Sequence, residues 1–170
     1  MTLTPETEAT VPSPTRGRIV VGVDGSAHSR LALARAAQLA AESGSILEPV
    51  IAWQYPMMAN ALVLENWSPE LDAGVTLRDC IRDAFPAGVP EWVKPTVVPG
   101  PAAHAIIEAS RGADLVVVGS RGHGGFAGLM LGSVSSACAE YAHCPVLVMR
   151  EPVGAGHDDR RRSASVAVAH

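Results

Sequence analysis

The chain has little of what would mark it for nucleic acid, membrane or the extracellular space. Its 170 residues include one lysine, Lys94, and the formal net charge is -4. The basic footprint that a phosphodiester backbone demands is therefore missing. Aromatic residues make up 4%, too few for a platform on which bases stack. No apolar run approaches the roughly 20 residues that span a bilayer, which reads against an integral membrane protein. The first 16 residues carry Thr, Pro and Glu but no positive segment followed by an apolar block, so a standard secretory signal is not expected. Cysteine is scarce too. Cys80, Cys138 and Cys144 are odd in number and show no C-x-x-C spacing, against both a disulfide framework and a structural zinc site. Reduced thiols in a cytoplasmic protein are the expectation. The six histidines, at 28, 104, 123, 143, 157 and 170, form no i, i+4 pair and no cluster with carboxylates, so a metal site built from protein ligands alone is not expected.

What is present is apolar: 48% of the chain, enough to bury a core for one domain of ordinary size. Residues 1 to 15, with Pro5, Pro12 and Pro14, read as a flexible arm, and residues 152 to 170 as a flexible tail. Arg160, Arg161 and Arg162 in that tail precede Ser163 and Ser165, a possible kinase target, but Asp158 and Asp159 offset the charge and a solvated tail is the plainer reading. The folded body is expected over 16 to 151.

Within it, strand-like and helix-like segments alternate. Residues 18 to 23 form a short run rich in β-branched residues (Ile19, Val20, Val21, Val23) that ends at Asp24-Gly25-Ser26. Residues 27 to 42 read as a helix with His28, Arg35, Gln38 and Glu42 on one side and Leu33, Ala36, Ala37 and Ala40 on another. Residues 46 to 53 form a second strand despite Pro49, and residues 92 to 98 a third despite Pro95. Between them lie an irregular stretch from 56 to 69 and a helix over 69 to 85, with Leu77, Ile81, Ala84 and Phe85 on one stripe. A helix over 102 to 111 spaces Ala103, Ile106, Ile107 and Ser110 at i, i+3, i+4, i+7. Residues 115 to 118 are continuously apolar, the signature of a strand buried on both faces. A helix over 133 to 143, with Val134, Ala137, Cys138, Tyr141 and Ala142 inward, leads to a last strand, Val146–Met149. This order predicts an α/β fold: a single domain with an open, mostly parallel five-stranded sheet and helices on both faces. Trp53, Trp67 and Trp92 read as packing residues, with Trp67 placed where it could cover a ligand or a partner.

The strongest chemical feature is the glycine-rich stretch from Gly119 to Ser133, between the fourth strand and the last helix. Glycines let a backbone approach an anion without Cβ clashes. The unpaired amides of a first helical turn then point at it, helped by the helix dipole. Ser133 is placed to cap the helix or to donate its hydroxyl to a phosphate. The alternative is an ordinary surface loop with a plain Ser cap. A Walker A loop is excluded, since Lys94 is remote, and G-x-G-x-x-G does not follow the first strand. Asp24 stands at the carboxyl end of that strand, where open parallel sheets bind ligands. It either accepts from a ribose hydroxyl or adenine amino group, or it and Ser26 only cap the helix. Arg121 and His123 either reach phosphates or project into solvent.

Together these features resemble the universal stress protein family. The likeness rests on Val20-Val21-Gly22-Val23-Asp24-Gly25-Ser26, on the G-2x-G-9x-G-[ST] pattern met by Gly119, Gly122, Gly132 and Ser133, and on Cys144-Pro145-Val146-Leu147-Val148-Met149 at the close. Two places depart from the family habit: Glu48-Pro49 where apolar residues are usual, and Pro101 directly after Gly100. The resemblance covers about 16 to 151. It implies an adenine-nucleotide α-hydrolase-like, Rossmann-like sandwich of the family's ATP-binding branch, often dimeric through the last strand. By position it implies Asp24 and Ala52 at the adenine and ribose, Val118 and Gly119 along the ribose and phosphates, and Gly122, Gly132, Ser133 and Val134 at the phosphates. ATP is then the expected ligand, with Mg²⁺ held mainly by its phosphates.

The function this implies is a nucleotide-dependent regulator of the stress response. A slow ATPase or phosphoryl-transfer enzyme would need a group to orient the attacking water; His123 is the one local candidate, so little or no turnover is expected. A nucleotide-free interaction module and a cAMP-selective binder are the remaining alternatives.

Overall fold

A computed structural model describes residues 16–55, 67–122 and 131–150. The expected arm and tail, most of the irregular stretch and His123 lie outside the described residues.

Alternation along the strands decides the layering, because successive side chains of a strand point to opposite faces. In β1 (Arg18–Gly22), Ile19 and Val21 face one core and Val20 the other. In β4 (Leu115–Gly119), Val117 joins the first core while Val116 and Val118 join the second. The first core is closed by α1 (Ala27–Ser43) and α2 (Pro69–Ala84), which bury Leu33, Ala36, Leu77 and Ile81 against the sheet. The second is closed by α3 (Ala102–Ala109) and α4 (Ser133–Tyr141) through Ile106 and Cys138. With β2 (Ile46–Trp53), β3 (Thr96–Pro99) and β5 (Val146–Met149), the sheet is five-stranded and wholly parallel, in the order β3-β2-β1-β4-β5. The expected α/β sandwich is therefore observed.

α1 and α2 begin and end within a residue of where their sequences say, whereas α3 stops at Ala109, short of the expected 111. Ser26 caps α1 by accepting from the Ser29 amide at 3.2 Å, and Gly44 ends it with φ 69°. Ser68 caps α2, with Pro69 at its first turn beside Glu70 and Asp72 and with Arg82 in its last. Trp67 turns its indole N–H onto Asp72 Oδ2 at 2.6 Å, which fastens it to that first turn. Phe85 and Trp92 meet edge to face, ring centroids 5.7 Å apart.

The two strand prolines lie opposite each other. Leu47 bridges Val93 and Val50 pairs with Thr96, so the same register sets Pro49 against Pro95. The Leu47 amide donates to Trp92 O, and Lys94 donates to Leu47 O. By that alternation the Pro49 nitrogen faces the Lys94 carbonyl, and a single ladder bond is lost there. The Pro95 nitrogen faces outward from the sheet edge, where no partner strand lies among the described residues. Hence the third strand is shorter than expected. It makes one bridge at Val93, breaks at Pro95, and becomes regular only over Thr96–Pro99.

Glu48, the other unexpected residue in β2, is paired rather than stranded. It meets Arg18 at 2.5 Å and accepts from Thr96 Oγ1 at 3.2 Å. Arg18 also donates to Arg111 O, and its own amide donates to Asp114 Oδ2. The amino ends of the strands are thus held by charge. One inward assignment fails: Tyr141, expected to face the core, is 59% exposed, and Ser135 is buried in α4 instead. The helix ends at Tyr141, short of 143, so Tyr141 sits on its last, outward turn.

Burial raises all three thiols, Cys138 furthest, from an ordinary 9.0 to about 11. The folded state therefore resists thiolate formation while the unfolded chain accepts it. This contribution to stability is complete below the ordinary thiol value and is lost as pH rises towards 11. Unfolding free energy from urea titrations should decline over that range, and Cys138→Ala should show a shallower decline than wild type.

Candidate functional site

The chain leaves β1 for β2 on one side, while β4 lies on β1's other side. The connections therefore diverge between β1 and β4, and the crevice beyond their carboxyl ends is the topological switch point of the sheet. The β1–α1 turn and the loop after β4 both open there.

The first half of the site is a compact turn. Asp24 Oδ1 accepts from the Ser26 amide at 3.0 Å, the hydrogen-bond pattern of an Asx turn. Ser29, 4% exposed, is its hub. Its hydroxyl donates to Ser26 O at 3.0 Å and accepts from the Asp24 amide at 3.3 Å. From outside, Arg30 Nε donates to Gly25 O at 3.3 Å, while its terminal nitrogen meets Asp83 of α2 at 2.5 Å.

The second half is the neck of the glycine-rich loop. Gly119 lies so close to α1 that a Cβ there would come within 2.8 Å of the His28 carbonyl carbon and 2.9 Å of the Ser29 amide nitrogen. Gly122 lies against Asp24, and a Cβ on it would collide with Oδ2 of that carboxylate. At Gly119 the obstacle is backbone, which only glycine avoids; at Gly122 a side chain would have to displace the Asp24 carboxylate. The neck is closed by its own hydrogen bonds. Gly132 N donates to Ser120 O at 2.7 Å, and the Ser135 hydroxyl reaches both Ser120 O at 3.2 Å and Gly132 O at 3.0 Å. Ser120 N donates to Met149 O at 2.7 Å, which ties the neck to the end of β5.

The residues singled out by sequence fall as follows. Asp24, Ser26, Gly119 and Gly122 come together. Arg121 is exposed on the same neck, its Cα beside Gly132. Gly132, not Ser133, is the N-cap of α4, and no side chain caps that helix. The Ser133 hydroxyl is therefore not the cap that its position suggests; Ser133 is the exposed first residue of the helix. The Gly132 amide is spent on Ser120 O, and the first intrahelical bond runs from Ser136 N to Gly132 O. Helix geometry thus leaves the amides of Ser133, Val134 and Ser135 without an intrahelical acceptor. The Val118 and Val134 side chains pack into the second core, so what they can offer a ligand is backbone. Ala52 is half-buried near the end of β2, opposite Val98. Next to it, Trp53 Nε1 is buried with no acceptor among the described residues.

Sequence reasoning missed Ser29, Ser120, Ser135 and Arg30. Serines at helix starts were visible, but which carbonyl each hydroxyl would meet depends on the crossing of α1 and α4 with the sheet. Among the described residues no three His, Cys, Asp or Glu side chains gather where they could hold a metal ion. No helix there is long and apolar enough to cross a membrane.

The family profile described as the universal stress protein family matches residues 15–150. A universal stress protein of Mycobacterium tuberculosis is 35% identical over 147 aligned residues, covering 85% of this chain and 49% of that protein. One from Mycolicibacterium smegmatis is 34% identical, covering 88% of this chain and 53% of that protein. The chain spans about half the length of the curated relatives it matches. Among solved structures, a universal stress protein from Lactobacillus plantarum shares the fold with TM-score 0.67 at 23% identity, over 80% of this chain and 99% of that one. A universal stress protein solved in complex with cAMP gives TM-score 0.61 at 30% identity, over 80% of this chain and 98% of that one.

The contact at Gly119 is with backbone, which cannot swing aside. Gly119→Ala should destabilise the protein by about 1–3 kcal/mol, the usual cost of forcing a methyl into a filled space. Urea unfolding measures it; an unchanged midpoint would mean that β4 and α1 are not in such close contact.

Proposed function

We propose that this chain, which belongs to the universal stress protein family, binds an adenine nucleotide at the carboxyl ends of β1 and β4. ATP is the first choice of ligand, and the bound state serves as a regulatory signal in the stress response. The nucleotide-binding unit is the body from 16 to 151. The observation that carries the reading is the meeting of Gly119 and Gly122, two glycines of the G-2x-G-9x-G-[ST] pattern, with Ser29 and Asp24 of the first turn. A carboxylate and a glycine cradle side by side suit a ligand with hydroxyls at one end and phosphates at the other.

In this reading Asp24 accepts from the ribose or the adenine amino group, with Ser26 holding its turn, and Ala52 lies against the base. The backbone at Val118 and Gly119 lines the ribose side. Gly122, the Gly132 region and the amides of Ser133 and Val134 face the phosphates, where the α4 dipole favours negative charge. Arg121, exposed on the neck, and His123 add charge-assisted donors. Mg²⁺ would be held mainly by the phosphates. Binding rather than turnover is the role proposed, because the stretch from Gly119 to Ser133 contains no carboxylate to orient an attacking water, and Asp24 is assigned to the ribose or adenine. The edge position of β5 supports self-association of two copies through Val146–Met149.

A second reading, selective binding of cAMP, is favoured by one observation: the 30% identical neighbour solved with that ligand. One experiment separates the two. Thermal and urea unfolding are followed with ATP and Mg²⁺, ADP, AMP and cAMP in parallel, on wild type and on Gly122→Val. At a hundredfold excess over Kd the true ligand should stabilise wild type by about 2.7 kcal/mol. Gly122→Val should lose that stabilisation. Stabilisation by cAMP alone would replace ATP as the ligand. No response to any of the four, in protein shown to be free of bound nucleotide, would overturn the nucleotide reading in favour of an interaction module.

A further inference from the structure

We infer that Ser135 is a positioning residue for the phosphate end of the site: its hydroxyl ties the two ends of the glycine-rich loop together and so aims the first amides of α4. The inference rests on the nucleotide reading above and adds to it a residue outside the glycine pattern.

Ser135 is 2% exposed, and so is Ser120, whose carbonyl it meets. The hydroxyl lies 3.2 Å from Ser120 O, on the strand side of the neck, and 3.0 Å from Gly132 O, on the helix side. A hydroxyl carries one proton, so it is shared between two carbonyls that belong to opposite ends of the loop. The Gly132 amide makes the parallel link, to the same Ser120 O, at 2.7 Å. Ser120 in turn is fastened to β5 through Met149 O. The outcome is a chain of bonds, β5 to Ser120 to Gly132 and Ser135, that sets where α4 begins relative to β4. The amides of Ser133 and Val134, which have no intrahelical acceptor, take their direction from that start. On the strand side, Arg121 and Gly122 follow directly from Ser120, and Gly122 is pressed against Asp24. A serine at this place in a helix would ordinarily bond back to its own preceding turn. Here the second acceptor belongs to another element, which makes the residue a fastener rather than a local cap.

The inference predicts a selective defect. In that reading adenosine engages Asp24, Ala52 and the backbone at Val118 and Gly119, whereas ATP also engages Gly122 and the first amides of α4. Titration calorimetry should show Ser135→Ala binding ATP roughly tenfold more weakly than wild type, the ordinary worth of one buried hydrogen bond, with adenosine affinity unchanged. Ser135→Cys, which keeps the shape but is a weak donor, should fall between the two and provides the test if the alanine variant folds poorly. Hydrogen exchange supplies a readout without nucleotide: the Gly132 amide should exchange faster in Ser135→Ala than in wild type. Equal ATP affinity in wild type and variants would overturn the inference and leave the nucleotide reading intact. Equal loss for ATP and adenosine would also overturn it, since it would mark Ser135 as a general packing residue. Wild type that binds neither ligand would overturn the nucleotide reading itself.

Discussion

The close approach of Gly119 to the first turn of α1 is the contact on which the rest of the site depends. β4 ends and α1 begins within one missing methyl of each other. That spacing lets the loop after β4 run past the turn after β1, and Gly122 then comes to rest on Asp24. The small-residue stripe of α1 serves the same end. Ala32, Ala36, Ala37 and Ala40 are buried on the sheet, so the helix axis sits near the strands. Larger side chains there would lift the helix and part the two halves of the site.

The two ends of the sheet are held by different chemistry. At the amino ends, Arg18, Glu48 and Asp114 join strands and loops through charge. At the carboxyl ends, serine hydroxyls and amides do the joining: Ser26 and Ser29 around Asp24, and Ser120 and Ser135 around Gly132. Hydroxyls shared with backbone carbonyls satisfy buried polar groups without adding fixed charge. In the proposed reading this end meets an anion, and its donors are amides, the Arg121 guanidinium and the N-terminus of α4. Besides Asp24, one further carboxylate, Asp83, reaches these turns, through Arg30 on Gly25 O.

Much of the fold was legible because its signals are local. β-branched runs of four to six residues, a Ser before a helix and a Gly after it, and the continuous Leu115 to Val118 run each report on their own segment. The exceptions have physical causes. The third strand was expected to be longer, since a sequence shows prolines but not which side of a strand faces an edge. Tyr141 was expected inside, since periodicity assigns a face but cannot tell where α4 ends relative to the sheet. Ser133 was expected to cap that helix, but Gly132 takes the cap because the Ser120 carbonyl holds its amide.

By itself the sequence determined the class of the fold, the family resemblance, the glycine spacing and the candidate carboxylate at Asp24, because each is written in consecutive or regularly spaced residues. Only the tertiary structure decided that Gly122 lies on Asp24, that Ser29 and Ser135 are the hydroxyls that hold the two turns, and that Pro49 and Pro95 share one break in the sheet. Those facts depend on strand order, register and the distance between layers, which arise when segments far apart in the chain are packed together and their backbone polar groups must find partners.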